Sequence, residues 1–194
     1  RAPPPEPIRA AVPPTVSPRE TVGTAAVDVD DGGTRLVAQG SAGAPGVALD
    51  VHAVFEIGSI TKVITALMLA DMAARGEVAF DDRLADYLPP SVTLHERARS
   101  ITLRDLAGYN AGLPKLPGNV PANWYVNPNP FAAYTVDNLY DATSRYVPAA
   151  TSDGRPYIYS SFAFGLLGVA EARPAGKSFE ALMIRRVCGP PGPS

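Results

Sequence analysis

Residues with high β propensity are concentrated near the N-terminus of the chain, and helical patterns follow them. Residues 21–29 and 34–39 are rich in valine and threonine and flank the tetrapeptide Asp30-Asp31-Gly32-Gly33. Its glycines can adopt the positive φ of a tight turn. This pattern predicts a β-hairpin.

The clearest helical segment begins at Ser59 and extends to about Arg75, where Gly76 is placed to end it. Residues 63–70 of this segment contain no charge, so we expect the helix to be enclosed on every side. A hairpin followed by helices favours an α+β fold.

Four shorter helices follow in the pattern. They are predicted over residues 101–106, 135–142, 162–172 and 178–187. Thr102 and Asp105 have the spacing of a capping box, and Thr135 is placed to cap the second of these helices. Residues 108–130 are crowded with glycine, proline and asparagine and are predicted to form a loop.

Composition excludes several classes of function. Hydrophobic residues make up 46% of the 194 positions and charged residues 19%, which is typical of a soluble globular protein. The net charge is -2 and no run of basic residues occurs, so we expect no nucleic-acid partner. The uncharged stretch 63–70 is far shorter than the roughly 20 residues of a bilayer span, so we expect no membrane span. Cys188 is the only cysteine and cannot form an internal disulfide.

The first 20 residues are predicted to be a proline-rich leader or linker. Seven prolines occur among the first 18 residues, and the printed sequence begins with Arg1 rather than methionine. Proline-rich segments are extended and semi-rigid, which suits a spacer behind a cleaved export signal, so we expect an exported, periplasmic protein. A disordered tail of a cytosolic protein is the alternative.

One Ser-x-x-Lys motif falls at the start of the longest predicted helix. Ser59 and Lys62 are three residues apart, so their side chains share one helix face. A lysine beside an apolar segment loses its proton more readily and can activate a serine hydroxyl. The alternative is that Ser59 is an ordinary N-cap and Lys62 a solvated residue of the first turn.

Further segments occur in an order typical of one enzyme family. They are Phe-Glu-Ile-Gly-Ser-Ile-Thr-Lys at 55–62, Gly-Glu-Val at 76–78, Asp-Asp-Arg-Leu at 81–84, Tyr-Leu-Pro at 87–89, Ile-Thr-Leu-Arg-Asp-Leu at 101–106, Ala-Gly-Leu-Pro at 111–114, Tyr-Ile-Tyr-Ser-Ser-Phe at 157–162 and Gly-Leu-Leu-Gly at 165–168. In them the chain resembles the class C β-lactamase and D-alanyl-D-alanine carboxypeptidase/endopeptidase family of penicillin-recognising serine hydrolases. The resemblance extends from about Thr21 to Pro190.

The resemblance implies a β-lactamase/transpeptidase-like fold and a set of roles. In that family the serine is acylated, the lysine and the tyrosine of a Tyr-x-Asn motif share proton transfer, and the asparagine binds the substrate amide. By position these roles would fall to Ser59, Lys62, Tyr159 and Ser161. The implied substrates are small molecules or peptidoglycan peptides: D-Ala-D-Ala peptides, β-lactams or related esters and amides. No cofactor is implied. Without the resemblance, Tyr159 would be interpreted as a packed aromatic residue.

Three departures from the family pattern leave an alternative open. Ser161 stands in place of the asparagine, Gly-Tyr-Asn-Ala at 108–111 replaces Thr-His-Thr-Ser, and no Lys/His-x-Gly motif occurs before Ser194. We therefore expect residues 21–194 to form a partial domain, a hairpin from an incomplete antiparallel sheet plus a mainly helical lobe, without the C-terminal strands. The sequence leaves open whether this reflects a fragment, a natural truncation, a frameshift or a partner chain.

The alternative function is an inactive relic or a binding module, since the missing motif normally supplies an oxyanion donor. His52 and His95 have no companions at metal-ligand spacing, so we expect surface histidines and no metal site.

Overall fold

The computed structural model describes residues 23–42, 47–50, 52–126, 129, 131–148 and 155–189. The predicted leader, residues 1–20, lies outside the described residues. The chain divides after Ile57 into two compact units.

The first unit contains the predicted hairpin. Strands β1 (Gly23–Asp30) and β2 (Gly33–Gly40) pair antiparallel. Gly33 has a φ of 109°, which places it in a region that residues with side chains rarely adopt. Arg35 on β2 donates a hydrogen bond of 2.6 Å to the carboxylate of Asp28 on β1. The hairpin prediction is confirmed, and its turn is shorter than predicted by one residue on each side, since the strands leave only residues 31 and 32 between them.

The second unit is mainly helical, and each predicted helix is present. The α-helices are α1 (Ile60–Ala74), α2 (Leu103–Ala107), α3 (Val136–Arg145), α4 (Ser161–Ala175) and α5 (Phe179–Met183). Short 3₁₀ helices cover Leu84–Tyr87, Glu96–Ala98 and Trp124–Val126, and a π-helical turn covers Ile184–Cys188. None of the described helices combines the length and hydropathy that crossing a bilayer requires.

Local capping fixes where these helices begin. Thr102 accepts a hydrogen bond from the backbone of Asp105, and the Asp105 carboxylate accepts one from the backbone of Thr102, so the predicted capping box is confirmed. Thr135 and Asn138 form an equivalent pair at α3. Such caps satisfy backbone donors that a helix N-terminus leaves unpaired. α3 continues three residues beyond its predicted end.

Helix α4 lies at the centre of the second unit. It packs against α1, α2, α3 and α5 and against the 3₁₀ helix Leu84–Tyr87. Its side chains Phe162, Ala163, Leu166 and Leu167 are buried, as the nearly continuous apolar pattern of this segment predicts. The core around it includes Met68, Leu69, Met72, Leu103, Leu106 and Leu182.

Helix α1 is not enclosed on every side, so that prediction is wrong. Met68, Leu69 and Met72 are buried on one face, but Ile60, Val63 and Leu67 on the other face are 61%, 67% and 54% exposed. The absence of charge in residues 63–70 does not determine which faces of a helix find a packing partner. Among the described residues, α1 buries only the face directed toward the core.

A buried carboxyl group interrupts the apolar surface of α4. Glu171 is 0% exposed, and neither of its side-chain oxygens has a hydrogen-bond partner among the described residues. Burial raises the pKa of this carboxyl to about 9, because an ionised group is poorly stabilised away from water. Glu171 therefore holds its proton at neutral pH.

Candidate active site

Ser59 lies at the sharp turn that leads into helix α1. The preceding Gly58 has a φ of 51°, a conformation that favours glycine. Ser59 itself has helical angles, and its side chain makes no capping hydrogen bond to the helix backbone. The hydroxyl is therefore not used as an N-cap and is available to groups outside the helix.

Lys62 lies one helical turn after Ser59 and faces the same side. Its Nζ donates a hydrogen bond of 3.3 Å to Oγ of Ser59. The same Nζ lies 4.9 Å from the centroid of the Tyr159 ring, within cation–π range. The ammonium group thus contacts both the serine and the tyrosine.

Tyr159 reaches this site from the segment before helix α4. Its hydroxyl donates a hydrogen bond of 2.6 Å to Oγ of Ser59. The pKa of the Tyr159 phenol is held below its usual range, first because the Ser59 hydroxyl can donate in the reverse direction to the ionised phenolate, and then because Lys62 donates to it. Burial opposes these two effects, and the positive charges of Lys62 and Lys115 lower the pKa further by smaller amounts. Tyr159 is 41% exposed, so the three groups meet in an open site and not in a dry pocket.

The Tyr159 ring is held by an aromatic cluster around Tyr109. The Tyr109 ring lies 5.1 Å from the Tyr159 ring, 5.6 Å from the Tyr157 ring and 5.2 Å from the Phe164 ring. Tyr109 has a φ of 61°, a left-handed conformation that is costly for a residue with a bulky side chain. Its carbonyl also accepts a hydrogen bond of 2.9 Å from the backbone of Ile158.

Sequence reasoning did not assign Tyr109 to the site. The only signal was the replacement of the family's Thr-His-Thr-Ser by Gly-Tyr-Asn-Ala at residues 108–111, and its effect could not be derived from sequence. The structure places this departure in direct contact with the candidate base Tyr159.

Ser161 is placed beside the site but makes no hydrogen bond to Ser59, Lys62 or Tyr159. Its backbone N–H donates to the carbonyl of Lys115 at 2.9 Å. Ser161 also lines a mostly apolar cavity of about 340 Å³. The structure thus brings three of the four predicted site residues into mutual contact and leaves Ser161 at the edge.

The neighbouring Ser160 fixes the geometry of this segment. Its buried hydroxyl donates to the carbonyl of Pro114 at 2.6 Å and accepts from the backbone of Ala163 at 2.9 Å, which caps α4. Ser160 has extended backbone angles, φ -134° and ψ 116°. Ser160 thus ties the segment that carries Tyr159 both to the loop at Pro114 and to the start of α4.

The histidines take no part in this arrangement. Nδ1 of His95 accepts a hydrogen bond from the backbone of Arg97, and His52 is exposed. Among the described residues, no group of three or more histidine, cysteine, aspartate or glutamate side chains is placed to hold a metal ion.

Known proteins are similar to this chain over most of its length. The family model described as Beta-lactamase matches residues 8–192. A β-lactamase of Escherichia coli (strain K12) is 32% identical over 136 residues, which are 70% of this chain and 32% of that protein. The D-alanyl-D-alanine-carboxypeptidase/endopeptidase AmpH of the same strain is 29% identical over 170 residues, covering 86% of this chain and 43% of that protein.

Solved structures show the same relationship. A β-lactamase/D-alanine carboxypeptidase from Yersinia pestis, complexed with citrate, superposes with a TM-score of 0.72 at 27% identity, covering 87% of this chain and 48% of that one. A class C β-lactamase from Rhodobacter sphaeroides gives a TM-score of 0.60 at 27% identity, covering 84% and 42%. The fold prediction is confirmed. The chain spans less than half the length of each of these relatives.

Proposed function

The chain belongs to the Beta-lactamase family, and from this premise we propose that it is a serine hydrolase of the penicillin-recognising type. Ser59 is the residue that becomes acylated. The acyl donors are D-Ala-D-Ala peptides, β-lactams or related esters and amides.

The proposal rests on one observation: the Ser59 hydroxyl contacts one group that can accept its proton and one cation that can stabilise that acceptor. Oγ of Ser59 lies 2.6 Å from the Tyr159 phenol and 3.3 Å from the Lys62 ammonium. The phenol is the nearer group and is shifted toward ionisation, so Tyr159 acts as the base in this proposal. Lys62 stabilises the phenolate as its neighbouring cation.

The acylation step then follows from these positions. The Tyr159 phenolate accepts the Ser59 proton while Oγ forms a bond to the carbonyl carbon of the substrate, and an electron pair of the carbonyl moves onto its oxygen. The backbone N–H groups of Thr61 and Lys62 already donate to the carbonyls of Gly58 and Ser59, so those of Ser59 and Ile60 are assigned as donors to this oxyanion. When the carbonyl re-forms, the leaving group departs with the proton held by Tyr159. Water attacks the acyl-enzyme by the same route and frees Ser59.

Ser161 has a more limited role in this proposal. A hydroxyl can donate or accept one hydrogen bond to a substrate amide, but it lacks the separate carbonyl and NH₂ of asparagine. We therefore expect the chain to bind a peptide substrate more weakly with serine at position 161 than it would with asparagine there.

Intact mass spectrometry after incubation with a fluorescent penicillin tests the proposal. We expect one adduct on the wild type, no adduct on Ser59→Ala, and an unchanged adduct on Ser91→Ala, which removes an exposed hydroxyl elsewhere. Absence of an adduct with both a penicillin and a D-alanyl ester would overturn the proposal and favour an inactive relic. An adduct that survives Ser59→Ala would place the nucleophile on another residue.

A further inference from the structure

Helix α2 ends in a hydrogen-bonded C-cap in which a tyrosine occupies the position that glycine usually holds. The backbone N–H of Asn110 donates to the carbonyl of Asp105 at 2.9 Å, and that of Tyr109 donates to the carbonyl of Leu106 at 3.5 Å. These two hydrogen bonds form the pattern of a Schellman motif, in which the residue after the C-cap adopts a left-handed conformation. Tyr109 is that residue, with a φ of 61°, whereas the C-cap Gly108 has an ordinary φ of -86°. The glycine of this segment therefore lies one position before the place where the backbone favours it.

The tyrosine at position 109 has a conformational cost that a glycine there would avoid. A left-handed φ brings the Cβ of a residue close to the following carbonyl oxygen, and glycine has no Cβ. Tyr109 is the only residue other than glycine with a positive φ in the described parts of the chain. Strained backbone of this kind persists where the surrounding contacts over-determine it, and it is concentrated at functional sites. The helix cap alone thus does not account for a tyrosine at this position.

The Tyr109 side chain packs against the base of the proposed reaction. Its ring is half-buried, and its centroid lies 5.1 Å from that of Tyr159, with an angle of 34° between the ring planes. The Tyr109 carbonyl accepts a hydrogen bond of 2.9 Å from the backbone of Ile158, the residue directly before Tyr159. One contact thus restrains the ring of the base, and the other restrains the backbone from which that ring extends.

We infer that Tyr109 is a positioning residue, which holds the Tyr159 phenol within hydrogen-bond distance of the Ser59 hydroxyl. The inference rests on the proposed function and adds a residue that acts through the base and not on the substrate. An exposed tyrosine side chain samples several rotamers, and Tyr159 is 41% exposed. Packing against Tyr109 restricts that sampling, so the phenol is in place before a substrate arrives.

The ionisation of Tyr159 reports whether its phenol is in place. The contacts with Ser59 and then with Lys62 hold the pKa of Tyr159 below its usual range. When the Tyr159 ring is released, both contacts are made for a smaller fraction of the time, and the pKa of Tyr159 is expected to rise. A residue that only stabilises the fold would leave this pKa unchanged as long as the protein is folded.

Tyr109→Gly removes the ring and relieves the left-handed backbone. We expect the rate of labelling by a fluorescent penicillin to fall by about tenfold to 10²-fold, since misplacement of a reacting group by about 1 Å costs up to that much. The pH–rate inflection is expected to move to higher pH. Tyr109→Phe keeps the ring and is expected to restore both the rate and the inflection. Tyr109→Asn, whose side chain tolerates the left-handed conformation, replaces Tyr109→Gly if that variant does not fold.

Tyr157→Ala is the matched control, because Tyr157 packs against the same Tyr109 ring at 5.6 Å but is 71% exposed. Its labelling rate is expected to stay within about twofold of the wild type, as for other surface substitutions. Urea denaturation of every variant shows whether it is folded under the labelling conditions. An equal fall of the rate in Tyr157→Ala and Tyr109→Gly would overturn the role of Tyr109, because any loss of ring packing would then have the same effect.

The position of the phenol can also be followed without acylation. In protein labelled with ¹³C at Cζ of tyrosine, the NMR signal of each phenol changes as it ionises, and the signal absent from Tyr159→Phe identifies Tyr159. We expect the titration of this signal to move to higher pH in Tyr109→Gly and to keep its wild-type pH in Tyr109→Phe. A titration of Tyr159 that is the same in Tyr109→Gly as in the wild type would overturn the inference.

The two proposals fail in different ways. If Ser59 is labelled in Tyr109→Gly at the wild-type rate and with the wild-type inflection, the positioning role is overturned and the serine hydrolase stands. If the wild type is labelled neither by penicillin nor by a D-alanyl ester, the proposed function is overturned. The NMR titration then still decides whether Tyr109 holds the phenol against Ser59.

Discussion

The Tyr159 hydroxyl lies 2.6 Å from Oγ of Ser59, although 100 positions of the chain separate the two residues. Lys62 is close to Ser59 because they share one helical turn, whereas Tyr159 is brought there by the packing of α4 against α1. Of the two groups proposed to act on the Ser59 proton, Lys62 is therefore positioned by the local helix geometry and Tyr159 by the tertiary fold.

Tyr159→Phe removes the phenol that contacts Ser59 and keeps the ring in its aromatic cluster. We expect the rate of labelling by a fluorescent penicillin to fall by about 10²–10⁴-fold, the usual contribution of a general base. Tyr157→Phe is the matched control, because Tyr157 packs against the same Tyr109 ring and is 71% exposed. Equal labelling rates in the two variants would exclude Tyr159 as the base.

The pH dependence of acylation reports the state of this phenol. A base must be deprotonated, so the rate is expected to rise with pH and to level off below the usual pKa range of tyrosine, since the pKa of Tyr159 is lowered. Lys62→Met removes the adjacent cation, so the pKa of Tyr159 is expected to rise and the inflection of the pH–rate profile to move to higher pH.

Two further lysine variants serve as comparisons for the shift of the pH–rate inflection expected in Lys62→Met. Lys115→Met is expected to move the inflection in the same direction by a smaller amount, because Lys115 has the weaker effect on the pKa of Tyr159. Lys177→Met, on an exposed residue after α4, is expected to leave it unchanged. If the pH of the inflection is the same in Lys62→Met as in the wild type, a different group is titrating.

Glu171 predicts a dependence of stability on pH. An unfolded glutamate titrates near pH 4.3, whereas burial raises the pKa of Glu171 to about 9 in the folded protein. Between these values the folded state binds a proton that the unfolded state has released, so rising pH favours unfolding. The loss is on the order of 1 kcal/mol per pH unit in this window and is complete above about pH 9.

Urea denaturation followed by circular dichroism at several pH values measures this effect. Glu171→Gln removes the ionisation and keeps the side-chain shape, so its stability is expected to fall less between pH 5 and pH 9 than that of the wild type. Glu180→Gln, on an exposed residue of α5, is expected to retain the wild-type slope. Parallel curves for wild type and Glu171→Gln would contradict the assignment.

Two glycines of α4 offer a matched test of packing. A Cβ at Gly168 would lie 3.0 Å from the ring of Phe179, whereas a Cβ at Gly165 would make ordinary contacts of 3.5 and 3.6 Å with Leu139. Gly165→Ala is expected to stabilise the protein by up to about 1 kcal/mol through helix propensity. Gly168→Ala is expected to be less stable than Gly165→Ala by about 1–3 kcal/mol, the cost of overpacking. Thermal unfolding of both variants measures the difference.

Local rules predicted most of the elements of this fold. The turn glycines at residues 32 and 33 indicated the hairpin, and the Thr102 and Asp105 pair indicated where α2 begins, because both signals act within a few residues. The contact between Ser59 and Lys62 could be predicted for the same reason, since helix geometry alone sets their separation.

Features that depend on tertiary packing were not predicted from sequence. An isolated glutamate such as Glu171 is normally placed on a surface, so its burial was not predicted although the residues before it in α4 are almost all apolar. The left-handed backbone of Tyr109 is disfavoured locally and is observed beside contacts with three other rings. The exposed face of α1 was missed because hydrophobicity indicates a preference for burial but does not provide a partner surface.

That exposed face affects how the protein behaves in solution. Ile60, Val63 and Leu67 present large apolar side chains along one side of α1, next to the turn that positions Ser59. Contiguous apolar surface promotes association between molecules, so light scattering is expected to increase with protein concentration and to decrease when a mild detergent is added. Helix α1 therefore places the serine hydroxyl at its start and also presents the surface through which we expect molecules to associate.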